Sequence, residues 1–423
     1  MTEKQMTEKQ KEEQARWGAM LSYLTPLRGG VTAPQGFKAS GVKAEIRYSN
    51  RRDLALIYSE TPAAAAALYT RNRVQAAPIA VTREHLQKGG RLRAAVINAG
   101  VANAGTGAQG VEDARQMARW TAEFLKIAPE EVAVASTGVI GMRLPMEKIR
   151  RGIYEAVQAL SEDGGGDAAR AIMTTDTRPK EAAVSFEWGG RTVTLGAMAK
   201  GAGMMHPNLA TMLVFVTTDA AVEDAFLPAA LTAAADRSVN MLSIDGDTST
   251  NDMVLIMANG QAGNPLITAD SGGERFLRAL EYLLVKLTRE MARDGEGATR
   301  LIEVEVVNAA SESDARLAAR TIVSSSLVKT AVHGRDPNWG RVLAALGYSG
   351  AEFDPEKVDI YFGKVCVAAG GCEQPFSEEE VRELLGEDEV RITVDLHAGT
   401  ARAFAWGCDL SPDYVHINAS YRS

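Results

Sequence analysis

Residues 198–220 read MAKGAGMMHPNLATMLVFVTTDA. Lys200 is followed by two closely spaced glycines, a turn at Pro207, and then small Ala210 and Thr211 feeding the apolar run Met212–Val216. That order predicts a loop handing over to a β-strand, with the threonine hydroxyl at the junction, where a backbone bond can be reached. A hydroxyl is a weak nucleophile until a base sits beside it, and one solution is a threonine whose own freed α-amine is that base. Such an amine has an unperturbed pKa of about 7.7 to 8.0, so a useful neutral fraction exists near pH 7. Thr211 acquires the amine only if the bond after Ala210 breaks, and the small alanine leaves its carbonyl open to the Thr211 hydroxyl. The local pattern alone also fits an ordinary Ala-Thr pair entering a strand.

Outward from this segment, short β-rich runs alternate with helical stretches. Strands are predicted at AAVINAG (94–100), EVAVAS (131–136), MLVFVTTDA (212–220) and LIEVEVV (301–307). Helices are predicted after Gly110, after Leu144, and from Gly273 to a stop at Gly295. The result is a mixed α/β architecture whose apolar helix stripes are core faces. SEDGGGD at 161–167 is a loop, and no repeat period appears. Neither GxGxxG after a strand nor GxxxxGK[ST] occurs, so nucleotide-dependent chemistry lacks its usual motifs.

Composition narrows the class further. With 423 residues, 46% of them hydrophobic, the chain can bury a sizeable core divided into two lobes. A formal charge of −8 and no basic cluster interleaved with aromatics argue against a nucleic-acid partner. Cys366, Cys372 and Cys408, with five scattered histidines, form no zinc-ligand spacing and read as reduced structural thiols, so no metal is expected. MTEKQMTEKQKEEQ at the amino end lacks the apolar core of a signal peptide, and no later run is apolar enough for a membrane span. A cytoplasmic protein without membrane association is expected, with residues 1–24 a loosely ordered extension whose MTEKQ repeat carries no function.

The string KGAGMMHPNLATML, residues 200–213, resembles the self-processing and catalytic motif of the ornithine acetyltransferase (glutamate N-acetyltransferase) family. Further matches follow in order: NAGVANAGTG (98–107), STGVIG (136–141), MTTDTRPK (173–180), SIDGDTSTND (243–252), RDGEGATR (293–300), KTAVHGRDPNWGR (329–341) and INASYRS (417–423). The resemblance thus covers nearly everything from about residue 25 onward. It implies an α-β-β-α sandwich related to self-cleaving aminopeptidases, two lobes, and a site in the cleft between them.

It also implies cleavage between Ala210 and Thr211, giving an α piece (residues 25–210 of it ordered) and a β piece, 211–423, assembled as α2β2. Thr211 would then carry acetyl from N2-acetylornithine to L-glutamate, with Thr137 and Gly138 forming the oxyanion site. Substrate contacts carried over from the matching motifs are Thr174, Lys200, Thr211, Glu296, Asn418 and Ser423. Lys200 suits a carboxylate and Glu296 an ammonium group. Ser423 stands where the family commonly ends in threonine, and it keeps the hydroxyl. No cofactor is implied, and acetyl-CoA as a second donor stays open. His206 and His333 are read as structural, because the Thr211 amine already fills the role of base. Two rivals remain at this point: an N-terminal-nucleophile aminopeptidase or amidohydrolase on the same scaffold, and a non-enzymatic small-molecule binding protein in which Thr211 is a buried strand residue.

Overall fold

A computed structural model of the chain describes residues 22–206 and 212–420. Of the extension expected over 1–24, residues 1–21 lie outside the described residues, and Leu24 is already buried in the core.

Two sheets carry the fold. The first has nine strands: β1 (Thr25–Leu27), β2 (Phe37–Val42), β3 (Leu54–Tyr69), β4 (Arg91–Asn98), β5 (Val132–Ser136), β6 (Lys180–Trp188), β7 (Arg191–Lys200), β8 (Leu213–Thr218) and, after the short β9 (Leu242–Ser243) of the other sheet, β10 (Met253–Ala258). Their spatial order is β1-β6-β7-β8-β10-β3-β4-β5, with β2 alongside β3. The second sheet joins β9 to β11 (Leu301–Ala309), β12 (Asp359–Phe362), β13 (Val365–Ala369), β14 (Cys372–Glu373), β15 (Glu389–Asp395) and β16 (Ala401–Cys408). The expected two-sheet α/β architecture is what forms.

Why the run Met212–Val216 is continuously apolar is now plain. Val214 and Val216 face one cluster together with Val254 and Ile256, while Leu213 and Phe215 face the opposite one with Met198 and Leu255. A strand covered on both sides needs apolar residues at every position, whereas a half-solvated strand alternates. β8 therefore lies in the middle of the sheet, antiparallel to β7 and parallel to β10.

The helix Gly273–Arg293 presents Phe276, Leu280, Leu283, Leu284, Leu287 and Met291 at helical spacing, all buried. It packs against β6 and β7 of the first sheet and β11 and β16 of the second, so it couples the two. Burying each such side chain is worth about 1.5 to 3 kcal/mol. Its last helical residue is Arg293, with Asp294 at the cap position and Gly295, the expected stop, directly after it. Among the described residues no helix is long and apolar enough to cross a membrane.

Candidate active site

The chain leaves the first sheet at Lys200, the last residue of β7, and re-enters it at Leu213, which pairs directly with Lys200. On the other side of Leu213 stands Met253, and the Met253 N–H donates to the Met212 carbonyl at 2.9 Å. Upstream, the amides of Met204 and Met205 donate to the Asp245 carboxylate at 2.5 and 2.8 Å. The described residues flanking 207–211 are therefore pinned on both sides.

A cavity of about 370 Å³ opens here, walled by Thr137, Gly138, Thr174, Lys200, Glu296 and Asn418 among others, with Met212, Leu213 and Asp252 on the sheet side. Six of the residues singled out from the sequence, contributed by parts of the chain far apart, thus share one space. Ala210, Thr211 and Ser423 lie outside the described residues.

Lys200 is buried, and its Nζ donates to Thr174 Oγ1 at 2.7 Å and to Thr137 Oγ1 at 3.4 Å. Behind it, Asp176 Oδ2 stands 3.8 Å away. Asp176 also accepts from the Gly201 N–H and from Lys180 Nζ, both at 2.7 Å, and Lys180 in turn reaches Asp294 at 2.6 Å. Two lysines and two aspartates thus form a neutral buried network under the cavity floor. Burial alone would raise the Asp176 pKa, but the charges of Lys200 and Lys180 override it and hold the carboxyl below the ordinary carboxylate range. Burial lowers the pKa of the Lys200 ammonium, against the pull of Asp176.

The turn after β5 supplies a different kind of group. Thr137 N–H and Val139 N–H are committed to the carbonyls of Asn98 and Gly100, at 3.0 and 3.2 Å. Between them, the Gly138 N–H has no acceptor among the described residues and borders the cavity. Gly138 sits at φ +129°, and a Cβ there would come 2.2 Å from the Gly100 carbonyl carbon, so the turn requires glycine. An uncommitted backbone donor beside the Thr137 hydroxyl is what a developing oxyanion needs.

In the same cavity wall, Glu296 is held by its own N–H, which donates to Ala202 O at 2.8 Å, and by Asn418 Nδ2, which donates to Glu296 Oε2 at 2.8 Å. Asn418 rides on the helix Pro412–Ala419. Gly203 lies so close that an added Cβ would meet Glu296 Oε2 at 2.3 Å. Gly203→Ala is therefore expected to fold but to push the carboxylate aside and, on the resemblance's assignment of Glu296 to a substrate ammonium, to raise KM by about tenfold, equivalent to about 1.4 kcal/mol. An unchanged KM would remove Glu296 from the substrate wall.

Several site residues carry no role in the sequence reading. Asp252 is buried at 3% exposure, with Oδ2 lacking a hydrogen-bond partner among the described residues. Burial pushes its pKa well above the usual carboxylate value, against Ser249, Lys200 and Thr70, which pull it down. Asn251 donates to the carbonyls of Ala102 and Ser136 at 2.6 and 2.8 Å, tying the loop before β10 to the Thr137 turn. Arg51 fixes Thr174 through its carbonyl at 2.7 Å. The stretches MTTDTRPK and SIDGDTSTND were the available signal, since each concentrates charged and hydroxylic residues in a short loop. His206 and His333 stay out of this cavity's walls. His206 bonds Ser243 Oγ at 3.0 Å, and His333 bonds Asp409 Oδ2 at 2.8 Å.

Comparison with known proteins places this geometry in a family. The profile of the ArgJ family matches residues 38–423. Arginine biosynthesis bifunctional protein ArgJ of Symbiobacterium thermophilum is 58% identical over 400 residues, covering 94% of this chain and 99% of that protein. The protein of the same name from Caldanaerobacter subterraneus subsp. tengcongensis is 54% identical over 402 residues, again 94% of this chain and 99% of that one. A chain in the crystal structure of Arginine biosynthesis bifunctional protein argJ from Bacillus halodurans is 48% identical, with a TM-score of 0.49, covering 50% of this chain and 100% of that chain. Matched over nearly its whole length by the family profile and by relatives more than half identical, the chain belongs to the ArgJ family.

Proposed function

We propose that this acetyltransferase of arginine biosynthesis moves acetyl from N2-acetylornithine to L-glutamate through an acetyl ester of Thr211, after cutting itself between Ala210 and Thr211. The observation that carries the reading is one cavity whose wall brings together a buried cation, Lys200, a buried acid, Glu296, and an uncommitted Gly138 N–H, bordered by Met212, the residue after Thr211.

In the first stage the Thr211 hydroxyl attacks the Ala210 carbonyl carbon and the C–N bond breaks. The resulting ester is hydrolysed by water, leaving a carboxylate on Ala210 and a free α-amine on Thr211. In the second, that amine takes the proton from its own hydroxyl while the oxygen attacks the acetyl carbonyl. Negative charge gathers on the acetyl oxygen, opposite Gly138 N–H and Thr137 Oγ1, where one good donor is worth about 2.7 to 4 kcal/mol. Collapse expels ornithine, its nitrogen receiving the proton from the Thr211 ammonium. The glutamate amine then attacks the ester, and N-acetylglutamate leaves with the Thr211 hydroxyl restored.

Lys200 would hold the α-carboxylate as a point charge, and Glu296 the ornithine side-chain ammonium. Asp252 would face the freed amine, because it shares the cavity wall with Met212, the residue after Thr211, and has one carboxyl oxygen uncommitted. Thr174, Asn418 and Ser423 complete the proposed contacts, acetyl-CoA is the proposed second donor, and α2β2 the proposed assembly, with no further cofactor. The test is product analysis with N2-acetylornithine and glutamate as the only substrates. Ornithine and N-acetylglutamate should appear in equal amounts, whereas ornithine with acetate in place of N-acetylglutamate would make the chain a hydrolase and sink the proposal.

A further inference from the structure

A second cavity, of about 820 Å³, shares none of the acyl-transfer cavity's wall residues. One wall is a single face of the helix Glu312–Ser324, where Arg316, Leu317 and Arg320 fall on the same side. Arg71, just beyond β3, also borders the space, so three guanidinium groups surround one volume. Like charges one helical turn apart, as Arg316 and Arg320 are, disfavour a helix unless something neutralises them.

The protein supplies little of that neutralisation. Arg316 has Glu312 at 3.7 Å, but the same Glu312 oxygen accepts from Arg237 Nε at 3.0 Å. Neither Arg71 nor Arg320 has a carboxylate partner among the described residues, and Arg320 Nε is sealed from solvent without an acceptor. The one acid in the wall among the described residues, Asp236, accepts from Asn240 Nδ2 at 2.8 Å. His206 adds no charge near neutral pH, because burial and the nearby Arg320 push its pKa down to about 4. The same cavity leaves Tyr348 65% and Leu317 44% exposed.

Arginine forks match the paired oxygens of phosphate, and a bare tyrosine ring is a platform on which a nucleobase stacks. The volume falls within the range of pockets that enclose ligands of nucleotide size, and a single amino-acid carboxylate would leave most of it empty. We infer that this cavity binds the phosphorylated nucleotide portion of a small molecule, with phosphate oxygens on Arg71, Arg316 and Arg320 and the base against Tyr348. Two sources share that chemistry: the nucleotide end of a thioester acyl donor, or a free nucleotide. His206 borders this cavity and Met212 the acyl-transfer cavity. Six chain steps separate the two residues, a span of at most about 21 Å, so a donor held here could extend an acyl-bearing arm toward the nucleophile. Only the donor source rests on the proposed acyl transfer; nucleotide binding does not.

The test is calorimetric titration of the full-length gene product, as purified, with adenosine 3′,5′-bisphosphate. Saturable binding at one site per chain is expected, weakened about tenfold by Arg316→Ala and by Arg320→Gln. Arg316 lies on a partly exposed helix face, so its variant decides the matter if Arg320→Gln fails to fold. No saturable binding at millimolar ligand, or an Arg316→Ala variant that binds like wild type, overturns the inference. KM for acetyl-CoA should rise about tenfold in Arg316→Ala, with N2-acetylornithine-dependent transfer unchanged, if the donor is the source. Lost nucleotide binding with an unmoved acetyl-CoA KM assigns the site to a free nucleotide. Absence of N2-acetylornithine-dependent transfer in the wild type would refute the proposed function while leaving the titration decisive for this cavity.

Discussion

Thr211→Ala is expected to remain a single chain of 423 residues, while the wild type separates into pieces of 210 and 213, the second beginning Thr-Met-Leu-Val. Intact-mass measurement and amino-terminal sequencing read this directly. On the proposed mechanism the variant loses the hydroxyl that would attack Ala210 and, because the bond stays closed, it never gains the amine that would serve as base. Removing nucleophile and base as a unit costs about four orders of magnitude or more in turnover, leaving what binding and the oxyanion donors provide. Thr211→Ser keeps the hydroxyl and should still cut. A Thr211→Ala protein that separates into the same two pieces would end the self-processing mechanism, whatever its activity.

Asp176→Asn should be the most destabilising of the conservative changes near the site. It leaves Lys180 with Asp294 alone and Lys200 without its partner, a net buried positive charge in place of a neutral network. Removing one partner of a buried pair costs about 3 to 5 kcal/mol, which a thermal melt should register as a fall of several degrees. The sign with pH follows from the depressed pKa of the native carboxyl. A carboxyl whose folded pKa lies below its unfolded value contributes stability in full above about pH 4, and that contribution disappears as pH falls through the folded value. The gap between wild type and Asp176→Asn should therefore be constant from neutral pH down to about 5 and close in stronger acid. A melting temperature within a degree of wild type at pH 7 would mean that water, and not the lysines, carries this carboxylate.

How far the amino-acid sequence foretells this arrangement depends on the range of the interactions concerned. β8 is legible because both of its faces are covered and every residue from Leu213 to Val216 is apolar. The helix from Gly273 is legible from its spacing, and its end from the glycine that follows the Asp294 cap. Lys200, Glu296 and the Thr137 turn were singled out through motif resemblance, and the register of β7, β8 and β10 sets the sheet side of the cavity they border. The lysine-aspartate network was not legible: Lys180 and Asp294 stand 114 positions apart, and nothing local marks either as buried. Asp252 escaped for a similar reason, since a carboxylate in a polar loop looks solvated until the sheet closes over it.

The strand order has a consequence for the life history of the protein. β8 and β10 both lie downstream of residue 211, yet in the sheet they are wedged between β7 and β3, which lie upstream. The proposed cut before Thr211 would therefore leave two polypeptides woven through one another, each supplying rungs to the other's ladder. Neither could depart without tearing out the middle of a nine-stranded sheet. If the proposed cut is made in the folded chain, the weave would work as a ratchet, making the broken bond irrelevant to the integrity of the molecule.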